Sequence, residues 1–353
     1  MKKHNFCAGP SILPKEVIIQ AAESVLDING SGFSLLEISH RSKDFIAIME
    51  EARSLVLDLT KLNSQDYSVL FLQGGASTQF LMIAYNLFSK RAAYLDTGVW
   101  SNKAIKEAKL FGDIKVVATS KDSNYNHIPD YKIPDDYDYF HCTSNNTIYG
   151  TQINNFKDSK IPLICDMSSD IFSRELDFSK FDLIYAGAQK NLGPAGATLV
   201  IVKNNILGKV SREIPSMMDY KAHINKSSIY NTPPVFSIYG SLLNMKWLKN
   251  NGGIKNLEEM NTKKASLLYS EIDINPLFKG HAKEKDRSKM NVTFNLVNND
   301  FKEIFDSMIS NAGVVGINGH RSIGGYRASM YNALPIESVK VLVEVMSELE
   351  NRI

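Results

Sequence analysis

Through the middle of the chain, short apolar runs alternate with amphipathic stretches, and the alternation predicts elements one at a time. Residues 68–72 are a continuous apolar run, read as a buried strand that ends in Gln73-Gly74-Gly75. A helical pattern follows over 77–88, then a strand at 92–95 and a helix over 103–111. Further strands are predicted at 115–119, 139–142, 162–166, 183–186 and 198–202. Strands that alternate with helices imply βαβ units, an α/β fold and a mostly parallel central sheet. Such sheets bind ligands at the carboxyl ends of their strands, so the residues just after each strand carry the chemistry.

From about residue 250 the texture changes. A long helical region over 234–268 is interrupted by Gly252-Gly253. A strand at 290–296, a helix at 301–311, a glycine-rich basic segment at 313–327 and a final helix at 335–350 follow. This reads as a smaller α+β domain. Residues 5–14 are too irregular to fold alone and are expected to pack against it. The expected division is therefore 15–250 for the large domain and 251–353, with 1–14, for the small one.

Charge and cysteine content narrow the function class. With 40 basic and 38 acidic residues the net charge is +2, which gives no electrostatic footprint for nucleic acid. Cys7, Cys142 and Cys165 are scattered, odd in number and free of any CxxC pair, which speaks against a disulfide framework or a zinc site. No metal is expected. Lys2-Lys3 is not followed by an apolar signal region, and no stretch approaches the roughly 20 apolar residues that span a bilayer. A cytoplasmic protein without membrane segments is the expectation.

Chemistry concentrates behind the predicted strands. Lys190 follows the strand at 183–186 in Ala188-Gln189-Lys190-Asn191-Leu192-Gly193-Pro194, among small residues that admit a ligand. A lysine there can bond covalently to a carbonyl carbon if burial lowers its pKa. Asp166 terminates the apolar run Leu163-Ile164-Cys165. In pyridoxal-phosphate enzymes such an acid can pair with the ring nitrogen. Gln73-Gly74-Gly75-Ala76-Ser77 links a strand to a helix, where free N–H groups can hold a phosphate. Trp100 follows Asp96-Thr97-Gly98-Val99 and could stack on a ring. Two His-Arg pairs, His40-Arg41 and His320-Arg321, with Arg327 nearby, would suit a small multiply charged anion. Each feature alone has an ordinary reading: a solvated lysine, a turn aspartate, a tight βα turn, a core tryptophan, surface arginines. The combination of Asp166 and Lys190 tells more than either residue.

Together these stretches resemble the phosphoserine aminotransferases over essentially the whole chain. The matching motifs are Asn5-Phe6-Cys7-Ala8-Gly9-Pro10, Glu37-Ile38-Ser39-His40-Arg41-Ser42, Leu72-Gln73-Gly74-Gly75, the lysine segment from Tyr185 to Gly196, Tyr230-Asn231-Thr232-Pro233-Pro234, and Gly319-His320-Arg321 through Ala333. The resemblance implies fold type I, pyridoxal 5′-phosphate as cofactor, and a homodimer with sites at the subunit interface. It implies amino transfer from L-glutamate to 3-phosphohydroxypyruvate in serine biosynthesis, by a ping-pong route. Some members also serve the 4-phosphohydroxythreonine step of vitamin B6 synthesis.

Residue by residue, the resemblance makes Lys190 the cofactor-bearing acid/base, Asp166 the ring-nitrogen partner and Trp100 the stacking residue. Thr147 would bond near the ring hydroxyl. Ala76, Ser77, Ser168 and Gln189 would line the phosphate site, with Asn231 and Thr232 reaching it from the other subunit. His40, Arg41, His320 and Arg321 would take the substrate phosphate, and Arg327 the α-carboxylate. Ser77 stands where some members carry arginine and Ala8 where some carry serine, which puts the strength of phosphate binding in question. A cysteine desulfurase is disfavoured because no cysteine lies in a C-terminal loop. A nicotinamide dehydrogenase is disfavoured because no glycine fingerprint follows the first strand. A non-catalytic relative on the same fold is weighed against by the joint presence of Lys190, Asp166 and the arginines.

Overall fold

Seven strands form the main sheet of the computed structural model, which describes residues 2–353. They are β1 (Tyr67–Leu72), β2 (Arg91–Asp96), β3 (Asp113–Thr119), β4 (Phe140–Thr143), β5 (Leu163–Asp166), β6 (Leu183–Gly187) and β7 (Thr198–Lys203), in the spatial order β1-β7-β6-β5-β4-β2-β3. β7 runs antiparallel to both neighbours, and every other pairing is parallel. The apolar runs are continuous because helices cover both faces of the sheet. On one face α2 (Lys43–Thr60) and α6 (Val235–Asn250) pack Met49, Val56, Ile238 and Leu242 against Phe71, Leu95, Phe140 and Ile184. On the other, α3 (Gly75–Leu87) and α4 (Val99–Ala108) pack Phe80, Ile83 and Ile105 against Leu70, Tyr94, Ile164 and Tyr185, and the short α5 (Tyr220–Asn225) adds Tyr220 to the same cluster.

A second core surrounds a three-stranded antiparallel sheet of β8 (Phe278–Gly280), β9 (Asn291–Leu296) and β10 (Tyr326–Ser329), with β9 in the middle. α7 (Gly253–Ile274), α8 (Lys302–Asn311) and α9 (Ile336–Arg352) supply its apolar cover through Leu268, Phe305, Leu342 and Met346. His4–Asn5 pairs in parallel with Val314–Val315, and Phe6 is buried in this core. The same N-terminal segment then reaches the main body. There Ser11 donates from its N–H to the Gln189 carbonyl at 2.9 Å and from Oγ to the Lys190 carbonyl at 2.6 Å.

Several elements lie outside the sequence expectation: α1 (Lys15–Leu26) and α2 precede the first predicted strand, and β8 and β10 fall where no strand is predicted, β10 at the end of the glycine-rich basic segment. α4 also begins earlier than 103, so Trp100 sits in its first turn. Ser101 Oγ accepts from the Thr97 and Gly98 N–H groups at 3.0 Å and starts the helix there. Cys142 and Cys165, distant in sequence, face each other across β4 and β5 with sulfurs 3.8 Å apart, both as free thiols. Among the described residues no helix is long and apolar enough to cross a membrane.

Where α7 meets the segment after β10, Lys264 is buried and donates to the Met330 and Tyr331 carbonyls at 3.2 and 2.8 Å. Burial lowers its pKa from 10.5 to about 7. Between those values the unfolded chain holds a proton that the folded one does not, so this group's contribution to stability rises with pH. The stability gap between the wild type and Lys264→Met should therefore shift in the wild type's favour from about pH 7 towards pH 10, by on the order of a few kcal/mol. Denaturant unfolding of both proteins across that range checks it. Parallel curves would place the lysine charge elsewhere.

Candidate active site

The carboxyl ends of β1, β4, β5 and β6 open onto one cavity of about 310 Å³, and β2 leads into it through the first turn of α4. Asp166 is the last residue of β5, buried and opposite Thr143 and Tyr185 in register. Its Oδ1 accepts from the Ser168 N–H at 2.9 Å. Its carbonyl accepts from both N–H and Oγ of Ser144 at 3.0 Å, which fixes the strand end. Burial raises its carboxyl above the ordinary range, against the opposing pull of Lys190 and Ser168. Ser168 Oγ in turn accepts from the Gly187 N–H at 3.1 Å, tying the end of β5 to the end of β6.

Lys190 follows in the turn after β6. Its side chain reaches the same cavity, with Nζ 5.6 Å from the centroid of the Trp100 ring. Burial lowers the amine, Asp166 pulls it back up, and Arg327 lowers it again. Trp100 is oriented by its Nε1, which donates to Thr147 Oγ1 at 3.2 Å. Behind Lys190 a second buried carboxylate, Asp170, takes hydrogen bonds from Ser144 Oγ, Gln152 Nε2 and Arg174 Nη2, so its charge is fully engaged in the wall.

At the opposite end lies the turn from β1 into α3. Gly74 has φ +91°, and a Cβ there would lie 2.0 Å from Thr78 Oγ1. Only glycine permits that turn. It leaves Gly75, Ala76 and Ser77 lining the cavity with first-turn N–H groups that have no helical partner. Arg327 enters from β10. Its Nη1 donates to the Thr147 carbonyl at 3.3 Å, while its Nε is buried without a partner. His320 lines the same cavity, with Nδ1 2.7 Å from Ser322 Oγ. Burial lowers its pKa, and Arg327, Arg321 and Lys103 lower it further.

Of the residues singled out in the sequence, Lys190, Asp166, Trp100, Thr147, Ser168 and Gln189 therefore meet around one cavity, joined by Ala76, Ser77, His320 and Arg327. The remainder do not line it in this chain. His40 and Arg41 lie in the turn before α2, whose Ser42 caps that helix by accepting from the Phe45 N–H at 3.3 Å. Arg321 is exposed on the loop before β10. Asn231 and Thr232 sit beside the phosphate-type turn: Gln73 Nε2 donates to the Thr232 carbonyl at 3.1 Å, and Asn231 Nδ2 to Gln73 Oε1 at 3.3 Å.

Sequence reading missed Thr143, Asn145 and Ser169, which also line the cavity. All three stand at or just after strand ends, so the strand-end rule could have found them. Asn145 is the hub: its Nδ2 donates to Ser169 Oγ and Asn291 Oδ1 at 2.8 Å, and its Oδ1 accepts from Ser288 Oγ at 2.5 Å. Through it the cavity wall is bonded to β9, the neighbour of the strand that carries Arg327. Ala8 and Gly9, from the N-terminal motif of the resemblance, also line the cavity: Tyr331 OH donates to the Ala8 carbonyl at 2.8 Å and brings the N-terminal segment in.

The chain matches the family model described as Aminotransferase class-V over residues 4–342. A phosphoserine aminotransferase of Flavobacterium psychrophilum is 65% identical over 100% of both chains. The solved phosphoserine aminotransferase of Bacillus circulans subsp. alkalophilus superposes with a TM-score of 0.96 at 43% identity, covering 99% of each chain. A pyridoxal-phosphate-bound phosphoserine aminotransferase from Trichomonas vaginalis superposes with a TM-score of 0.93 at 35% identity, over 98% of this chain and 100% of that one.

Proposed function

The chain belongs to the class-V aminotransferases, and within them to the phosphoserine aminotransferases; from that premise we propose that it transfers the amino group of L-glutamate to 3-phosphohydroxypyruvate, giving O-phospho-L-serine and 2-oxoglutarate. The protein is a pyridoxal-phosphate-dependent transaminase. The observation that carries the assignment to this cavity is the pair Asp166 and Lys190 at adjacent strand ends, one carboxyl pushed up by burial and one amine pushed down.

The cavity fits the cofactor on its own chemistry. Asp166 is a buried carboxylate with no ion-pair partner among the described residues, so a protonated ring nitrogen would supply the missing counter-charge. Thr143 Oγ1 is buried without a partner on the same wall. The Gly75–Ser77 N–H groups suit the phosphate, and the Trp100 indole suits one face of the ring. As in the relatives' motif, Ser168 and Gln189 would help to line the phosphate and Thr147 would bond near the ring hydroxyl. When bound, the cofactor supplies an electron sink for the pair left at the substrate Cα.

Lys190 Nζ would hold the cofactor and, once the amino group of glutamate has displaced it, the freed amine would take the Cα proton of glutamate. In the opposite half-reaction it gives a proton to Cα of the phosphorylated keto acid. Arg327, with its unpartnered Nε, binds the α-carboxylate of either substrate. His320 meets the substrate phosphate from within the same chain, with Arg321 beside it. His40, Arg41, Asn231 and Thr232 would join the site from a second copy. For His40 and Arg41 this homodimer reading is supported by their position outside the cavity lining and by the exposed apolar side chains Phe33 and Leu36, 61% and 62% accessible, in the segment leading to His40. The two bodies divide the work: 15–250 holds the cofactor, and 251–353 with 1–14 brings Arg327 and His320. A cytoplasmic setting accords with the free thiols of Cys7, Cys142 and Cys165.

The visible spectrum tests the function. Absorbance of the bound cofactor should fall on adding glutamate and return with 3-phosphohydroxypyruvate. A response to glutamate but not to that keto acid would retain the aminotransferase and overturn the substrate. The four-carbon phosphorylated keto acid related to 4-phosphohydroxythreonine has the same anionic ends and is the second substrate to assay.

A further inference from the structure

Beside the cavity mouth, Lys103, Lys106 and Lys109 recur every third residue along the exposed side of α4 and its C-terminal cap. This spacing keeps them on one face. With Lys121 they line an open groove of about 480 Å³ over Val99, Ile105 and Tyr125. No acidic side chain lines it, and Glu107 and Asp122, their sequence neighbours, lie outside its lining. Among the described residues none of the four ammonium groups forms an ion pair. Four neighbouring like charges without counter-charges repel one another, which makes the groove a standing site of positive potential.

The inner end of the groove borders the cavity through Trp100. Lys103 Nζ stands 4.6 Å from the centroid of the Trp100 ring, and Trp100 lines the cavity itself. Val99, at the head of the groove, packs with Ile323 on the cluster of Tyr125, Ile148 and Tyr149. Ile323 belongs to the loop that bears His320 and Arg321. A row of cations thus runs along α4 from solvent to the place where the site's own cations begin.

We propose that this groove is an entry subsite for the multiply anionic phosphorylated substrate, which Lys106, Lys109 and Lys121 attract and Lys103 passes over the edge of Trp100 into the cavity; the proposal rests on the substrate reading above. The substrate combines a carboxylate with a phosphate of about −1.5 to −2 charges, whereas glutamate carries a net charge of about −1. Attraction by a fixed positive patch scales with ligand charge and is screened by salt, so the groove favours the phosphorylated partner.

The test uses the holoenzyme and measures, by stopped flow, the second-order rate constant of each half-reaction against ionic strength. In the wild type the salt dependence for 3-phosphohydroxypyruvate should be roughly two to three times as steep as for glutamate. The triple variant Lys106→Gln/Lys109→Gln/Lys121→Gln changes only exposed side chains. It should lose about tenfold in that rate constant at low salt, less than twofold at high salt, and little for glutamate, with kcat unchanged. Lys103→Met should weaken the phosphorylated substrate at all salt concentrations, and Lys103→Arg should restore it. A wild type that reacts with the keto acid but shares the triple variant's rate and salt slope would overturn the groove alone. A wild type that does not react with it would overturn the substrate reading and this assignment together.

Discussion

Lys190→Ala should lower glutamate-dependent amino transfer by about 10⁴-fold or more, because it removes the amine proposed as both the covalent anchor of the cofactor and the base at Cα. The protein should still fold. The lysine lies in a turn whose geometry is set by bonds to its backbone: Ser11 Oγ donates to the Lys190 carbonyl at 2.6 Å, and the Leu192 and Gly193 N–H groups donate to the Ala188 carbonyl at 3.2 and 2.8 Å. Cofactor should then be removable by dialysis, and borohydride should fail to fix it to the chain. Lys190→Arg is the stricter control. It keeps a cation in the cavity, but a guanidinium stays protonated and cannot serve as base, so it should be as inactive as alanine. Turnover near the wild-type rate in either variant would remove Lys190 from the chemistry.

Asp166→Asn should cost on the order of 10²–10³-fold in kcat/KM. The substitution keeps the shape and leaves an amide oxygen to accept from the Ser168 N–H, so the strand end need not move. What disappears is the charge. The electron sink depends on a protonated ring nitrogen, and a buried positive nitrogen without a counter-ion gives up its proton. The loss should therefore fall mainly on kcat, with the KM for glutamate changing far less, because Arg327, proposed to bind the carboxylate, lines the cavity away from Asp166's carboxyl and is unchanged. Lys190 would also lose the attraction that opposes its desolvation, so its amine should titrate lower than in the wild type. Activity within tenfold of the wild type would show that another group holds the ring nitrogen.

The two variants separate roles that the cavity brings close together. Loss of covalent attachment belongs to Lys190 alone. A slow enzyme that still carries its cofactor belongs to Asp166. Neighbouring groups cannot substitute for either residue. Asp170 is already engaged by Ser144, Gln152 and Arg174, and Lys264 is committed to two carbonyls away from the cavity.

Local pattern was enough for the main sheet. Its inner strands are buried on both faces, so they read as apolar runs, whereas the edge strand β3 is largely exposed; Asp166, Lys190 and the Gly74 turn stand where the inner runs stop. Motif resemblance supplied the cofactor and the transamination, because those residues sit in contiguous stretches whose order survives folding. The first two helices were harder to read. α1 exposes Ile18, Ile19 and Leu26, which blurs the apolar stripe that would mark a helix on a core. Only tertiary structure decided which cations converge: His320 and Arg327 reach the cavity because β10 pairs with β9, and β9 is bonded to the cavity wall through Asn291 and Asn145. It also brought Ala8 and Gly9 to Lys190 across 182 and 181 positions of the chain, as the Ser11 contact spanning 179 positions illustrates. Sequence spacing records neighbours along one dimension. The contacts that close this site are made across strands and between two cores, where chain separation carries no distance.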